Sequence, residues 1–238
     1  MKNPCICMTA TIEPNTVLVT RSDVNERLND YKKAVRFYLD KTHLPVYFLE
    51  NSSFDIDGDN DFKQFLERPN FKVLRFPPHT DQTRGKGFQE FYTIDRFVAG
   101  HMKEDFLVKV TGRYIVRNFS SLVSQLSADV NIDLHRKMKV AITGFFGVSK
   151  STYSEHFAGL YTRANDGEGR YIEHVLYDYI TGTDLINRTA LLPENPEYRG
   201  VSGSYGQSLH RNKYKMMVRG VERKLSRSLG IKKFLIEY

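Results

Sequence analysis

Short apolar runs alternate along the first half of the chain with longer stretches whose apolar residues recur every three or four positions. Residues 5–12 (CICMTATI) are a compact β-prone run and predict a buried strand, which residues 16–20 (TVLVT) extend or follow. Ser22 or Asp23 stands where a helix N-cap belongs. Beyond it, Leu28, Tyr31, Ala34, Val35, Tyr38 and Leu39 fall on one face of a helix. Residues 46–49 predict a second strand, 61–67 a short helix, and 71–76 a third strand stopped by Pro77 and Pro78. A loop at 84–87 leads into a helix ending near residue 101, with Phe88, Phe91, Ile94, Phe97 and Val98 facing inward. Residues 106–110 predict a fourth strand running into Thr111, Gly112, Arg113 and Tyr114. Strand and helix in alternation predict an α/β fold with a mostly parallel sheet flanked by helices. In such sheets ligands collect at the carboxyl ends of the strands.

The second half is less regular. Residues 120–126 predict a helix and 139–142 a strand, followed by Gly144-Phe145-Phe146-Gly147. A helix is expected over 169–180, with Ile172, Leu176 and Tyr179 or Ile180 inward. Residues 185–205 read as loop. Tyr214, Met217, Val218, Val221, Leu225 and Leu229 then form the stripe of a final basic helix. No repeat or linker divides the chain, so residues 1–238 are read as one domain with parts 1–118, 119–208 and 209–238.

Composition narrows the class. With 40% hydrophobic and 26% charged residues, the 238-residue chain has an ordinary globular make-up. No apolar run reaches the length of a membrane span, and the N-terminal apolar stretch is too short for a signal peptide. Cys5 and Cys7, alternate residues of one strand, are expected to be reduced thiols of a cytoplasmic protein. The net charge of +7 has a location: residues 209–238 carry nine Lys and Arg against two Glu, which equals the whole excess. Such a tail suits nucleic acid or an anionic membrane surface. A basic nucleic-acid-binding module, with 14 tyrosines for stacking, is therefore the alternative function. No recognition motif supports it, so no nucleic-acid partner is expected.

Two familiar signatures fail on inspection. Residues 144–151 (GFFGVSKS) approach a phosphate-binding P-loop, but Ser149 replaces the glycine before the lysine. Residues 55–66 approach a calcium loop, but Asn60 and Leu66 stand where Gly and Glu are needed. Three segments carry better chemistry. In Gly85-Lys86-Gly87-x-x-Glu90, glycines permit close backbone approach, and a lysine with a following helix start suits phosphate; an exposed turn with a solvated lysine has the same sequence. In residues 109–114, Lys109 needs a partner if buried and Arg113 offers a fork of donors for diphosphate or carboxylate; an edge strand with solvated charges is the alternative. In residues 167–174, a helix start carries Glu173 and His174, a general base and a group that tunes it, or else a cap with surface charge.

These segments, taken in order with Met8–Thr11, Arg21-x-Asp23…Arg27-Leu28…Tyr31, residues 49–52 and 171–174, resemble small bacterial glycosyltransferases of the GT-A type, in the group that builds capsule, lipopolysaccharide and O-antigen. The resemblance spans roughly residues 5–180. It implies a GT-A, Rossmann-like domain in which 1–118 binds a nucleotide-sugar, 119–208 forms the acceptor and catalytic half, and 209–238 is the basic helix. It implies an inverting hexosyltransferase with a nucleotide-sugar donor, UDP-linked, and a glycan or lipid-linked glycan acceptor at the inner face of the cytoplasmic membrane. By the same resemblance Thr9, Thr11 and Asn51 lie near the nucleoside, Lys86 and Arg113 face the diphosphate, Lys109 joins them in neutralising it, and Gly85, Thr111 and Gly112 complete the donor-binding residues. Glu173, assisted by His174, is the base. The sequence departs from the family at one point: Thr111-Gly112-Arg113 stands where an Asp-x-Asp metal motif is usual. The expectation is that side-chain cations replace the metal, with Mn or Mg not excluded.

Overall fold

The computed structural model describes residues 2–14, 22–52 and 54–200, together with Gly220 and Arg223. Strand β1 (Pro4–Ala10) is followed by helix α1 (Val24–Lys41), β2 (Val46–Glu50), α2 (Asn60–Leu66), β3 (Phe71–Arg75), α3 (Lys86–Gly100) and β4 (Phe106–Thr111). The four strands are parallel in the order β4-β1-β2-β3; the interior strands β1, β2 and β4 are mostly apolar and buried, as strands covered on both faces must be, and β3 is the half-exposed edge. Asp23 caps α1 by accepting the Glu26 amide at 2.7 Å.

Side chains of β1 alternate between two cores. Ile6, Met8 and Ala10 pack under α1 and α2, while Cys5 and Cys7 pack under α3 on the opposite face. Burial raises the pKa of both thiols far above the ordinary range, so neither is a ready nucleophile. No helix of the described residues is long and apolar enough to cross a membrane.

Beyond β4 come the short strand β5 (Ile115–Val116), helix α4 (Phe119–Ser124), and strands β6 (Val130–Asn131), β7 (Leu134–His135), β8 (Val140–Ala141) and β9 (Phe145–Ser149). A helical turn α5 (Lys150–Thr152), helix α6 (Ile172–Gly182) and strands β10 (Thr189–Ala190) and β11 (Tyr198–Arg199) complete the described elements. The seven-stranded sheet runs β10-β6-β9-β4-β1-β2-β3, with β9 antiparallel to both neighbours. One continuous sheet thus joins the two halves.

Three stretches differ from the sequence reading. Residues 145–149, to which the sequence reading gave no element, are a central strand; a Cβ on Gly147 would come within 2.8 Å of the Phe106 ring, so this glycine serves packing. Helix α6 starts at Ile172 rather than 169, because Gly169 adopts φ 73° and closes a preceding 3-10 turn. The loop expected from 185 contains a 3-10 turn and the two short strands β10 and β11. The strand extension at 16–20 lies outside the described residues, and so does the final helix except for Gly220 and Arg223.

Candidate functional site

A cavity of about 350 Å³ opens at the carboxyl ends of β1, β2 and β4. This is where the topology of a parallel sheet places a ligand. Thr9, Thr11, Asn51, Lys86, Thr111, Arg113 and Glu173 line it together, although they come from segments up to 164 residues apart. Gly85, Lys109, Gly112 and His174 are not among the lining residues.

The nucleoside-side residues form a bonded chain. Thr11 donates its hydroxyl to Asn51 Oδ1 at 2.5 Å, and Asn51 Nδ2 donates to Thr93 Oγ1 at 3.2 Å. The guanidinium of Arg27, buried on α1, donates Nε–H to the carbonyls of Thr11 (2.9 Å) and Ile12 (3.2 Å). Tyr31, one helical turn later, accepts the Thr11 amide at 2.9 Å. Helix α1 therefore fixes the exit of β1. Arg27 also adds positive potential beside Arg113; burial first, and then the charge of Arg113, lower the pKa of the Arg27 guanidinium.

Lys109 requires a correction. It is fully buried in β4 and lies beneath the cavity rather than in it. Its ammonium pairs with Glu90 Oε1 at 2.8 Å and donates to Thr111 Oγ1 (3.1 Å) and the Thr143 carbonyl (2.8 Å). A buried lysine must be compensated, and here its charge is spent on Glu90 and is not open to a diphosphate. Gly112 lies under the wall: a Cβ there would fall 2.6 Å from the Thr9 carbonyl, which accepts the Gly112 amide.

The helix start at Lys86 is also occupied. Asp166 Oδ2 accepts the Lys86 amide at 3.0 Å, and the Gly87 amide bonds the same carboxylate. The anion expected at this N-terminus is thus supplied by the chain itself. Gly85 makes the arrangement possible, with φ 94° and room for Asp166 where a side chain would lie. Lys86 itself lines the cavity.

Glu173, in the first turn of α6, lines the cavity and accepts the Thr143 hydroxyl at 2.9 Å. Burial raises its pKa; Glu90 adds to the rise, while the Thr143 bond and Lys109 oppose it. A carboxylate made more basic in this way, beside a cavity, has the properties of a general base. Glu90 is a second cavity carboxylate, tied by Lys109 and by the Thr9 hydroxyl at 2.5 Å. His174 stacks against Tyr171, ring centroids 5.6 Å apart, and does not reach the cavity.

The resemblance puts an Asp-x-Asp metal motif at the end of the fourth strand. The strand end carries Thr111, Gly112 and Arg113, and among the described residues no three His, Cys, Asp or Glu side chains are grouped to hold a metal.

Sequence reasoning gave no role to Arg27, Glu90, Asp166, Tyr171 or Tyr198, all of which line the cavity. Glu90 had a signal in its fixed spacing from Gly85. For Asp166 the only signal was a glycine-flanked acid among many polar residues.

No protein-family model and no curated protein matches the chain. Among solved structures it is similar to the glycosyltransferase GlyE of Streptococcus pneumoniae, at a TM-score of 0.51 and 10% identity over 81% of this chain and 45% of that one. It is also similar to an inositol-1-phosphate CTP transferase of T. maritima, at a TM-score of 0.50 and 12% identity over 93% and 97% of the two chains. The chain thus spans less than half of GlyE and nearly all of the CTP transferase. Both likenesses are of fold: a mostly parallel, helix-flanked GT-A or Rossmann-like sheet.

Proposed function

We propose that the protein is an inverting, metal-independent glycosyltransferase that takes a hexose from a UDP-sugar. The observation that carries this reading is the single cavity in which Arg27, Lys86 and Arg113 share a strand-end site with the buried carboxylate Glu173. The nucleoside lies along Thr9, Thr11 and Asn51, and the diphosphate faces Lys86 and Arg113. Negative charge grows on the diphosphate as the glycosidic bond breaks, and preorganised cations stabilise that charge. Glu173 takes the proton of the acceptor hydroxyl, whose oxygen forms the new bond to the anomeric carbon. The departing nucleoside diphosphate carries the electron pair of the broken bond.

The acceptor is a glycan or lipid-linked glycan of the bacterial surface, and the basic stretch 209–238 holds the enzyme to the inner face of the membrane. About 1 kcal/mol per basic residue supports peripheral binding there. Flotation with anionic liposomes is expected for the full chain and not for a chain ending at residue 208; equal flotation removes the membrane role.

The decisive test is UDP-sugar turnover in excess chelator by wild type and Glu173→Gln. The reading expects full wild-type activity and a loss of roughly 10²- to 10⁴-fold in the variant. Unchanged activity in Glu173→Gln rejects the base. Activity abolished by chelator and restored by manganese rejects metal independence.

A further inference from the structure

Tyr171 stands apart among the side chains around the cavity. Three large apolar side chains are exposed among the described residues, Leu66, Met138 and Tyr171, and of these only Tyr171 lines the cavity. It is 40% exposed, although its backbone is fixed: its carbonyl accepts the amides of His174 (3.0 Å) and Val175 (3.2 Å) as α6 begins. The ring is steadied by His174, tilted 40° against it. Two residues on in sequence is Glu173, on the same cavity. A partly exposed aromatic ring that lines a cavity offers an apolar face to whatever enters it, so it is a candidate contact surface.

We propose that the Tyr171 ring is the platform on which the acceptor sugar stacks, and that the acceptor is a pyranoside presenting its apolar C–H face to that ring. The electron-rich face of an aromatic ring attracts the slightly positive C–H groups of such a face, while the sugar hydroxyls at its edge stay free to meet carboxylates. A pyranose seated on Tyr171 shares the cavity with Glu173. The donor diphosphate is left to the Lys86 and Arg113 side chains. This inference rests on the glycosyltransferase reading and adds the acceptor class and its seat.

The chain contains no tryptophan, so Tyr171→Trp creates a single fluorescent reporter at the proposed seat. In the presence of UDP, methyl hexopyranosides are expected to change its emission saturably, and the acyclic alditol glucitol is not. With the transferable acceptor found in that panel, Tyr171→Ala should raise the acceptor KM roughly 3- to 10-fold and leave the donor KM unchanged, while Tyr171→Phe stays close to wild type. Loss in Tyr171→Phe equal to that in Tyr171→Ala overturns stacking in favour of a hydroxyl contact. No saturable response to any methyl hexopyranoside, in a protein that UDP still stabilises against heat, overturns the platform alone. If UDP also leaves the melting temperature unchanged, the glycosyltransferase reading falls with it.

Discussion

Arg223 allows the sharpest stability prediction, because its surroundings are known in detail. Only 3% of its surface is exposed. Its guanidinium grips Asp133 through both terminal nitrogens, at 2.7 and 2.6 Å, and donates to the Leu192 carbonyl (2.8 Å) and Asn195 Oδ1 (2.9 Å). Asp133 in turn accepts the Leu192 amide at 3.2 Å. A residue of the C-terminal stretch therefore ties the β6–β7 connection to the segment leading into Tyr198, which lines the cavity. Removing one partner of a buried ion pair costs about 3–5 kcal/mol, because the other charge is left buried and uncompensated. In a chain of this length each kcal/mol moves the melting temperature by about 2–4 °C, so Arg223→Ala should melt roughly 6–20 °C lower. A chain ending at residue 208 loses the same anchor and should melt as low. Arg223→Met with Asp133→Leu removes both charges and should recover much of the loss. Thermal unfolding followed by circular dichroism measures all four proteins. An Arg223→Ala melting temperature within about 2 °C of wild type, or a double variant no better than the single one, refutes the reasoning.

Other expectations follow from single groups. Glu50 is buried with Oε2 lacking a hydrogen bond, and burial raises its pKa from 4.5 to about 7. Between these values the folded protein holds more protons than the unfolded chain. The stability from this group is fully present below pH 4.5 and lost as pH rises through 7, about 3 kcal/mol in all. Urea titrations at pH 4.5 and 8 should show that difference, and Glu50→Gln should flatten it; an unchanged pH slope in the variant refutes the assignment. Gly85→Ala meets Asp166 as well as an unfavourable φ of 94°, so a loss of at least about 1–3 kcal/mol and weaker nucleotide binding are expected. Wild-type stability in that variant contradicts the clasp on Asp166. Glu173→Gln keeps an acceptor for the Thr143 hydroxyl and removes a desolvated charge, so its melting temperature should equal or exceed that of wild type while turnover falls. A clear drop in melting temperature would mean that the carboxylate is there for structure.

What could be read from the chain and what could not divides along physical lines. Strands β1 to β4 and helices α1 and α3 were legible because their apolar patterns are long and local, and each is covered on the faces those patterns mark. Strand β9 was not, because Gly147 interrupts its apolar run and gives no sign of packing until Phe106 and Leu126 are seen where a Cβ would lie. Thr9, Thr11, Asn51, Lys86, Arg113 and Glu173 were each placed near a strand end or helix start, and topology alone brings such positions together. Lys109 was misjudged because its partner is 19 residues away on the overlying helix. The Arg223–Asp133 pair, 90 residues apart, has no local signature at all. Tail charges alone suggested a basic stretch for an anionic partner, yet one of its nine cations is neutralised inside the protein.

The proposal that side-chain cations receive a nucleoside diphosphate can be tested without knowing either sugar. Thermal unfolding in excess chelator, with UDP and CDP each added to wild type and to Arg113→Ala, is the direct measurement. A ligand at about 100 times its Kd adds about 2.7 kcal/mol, hence a rise of roughly 5–11 °C. The account predicts that rise for UDP with wild type and its loss in Arg113→Ala. No rise with UDP, or a rise that survives Arg113→Ala in full, contradicts it; a rise with CDP alone contradicts the uridine donor.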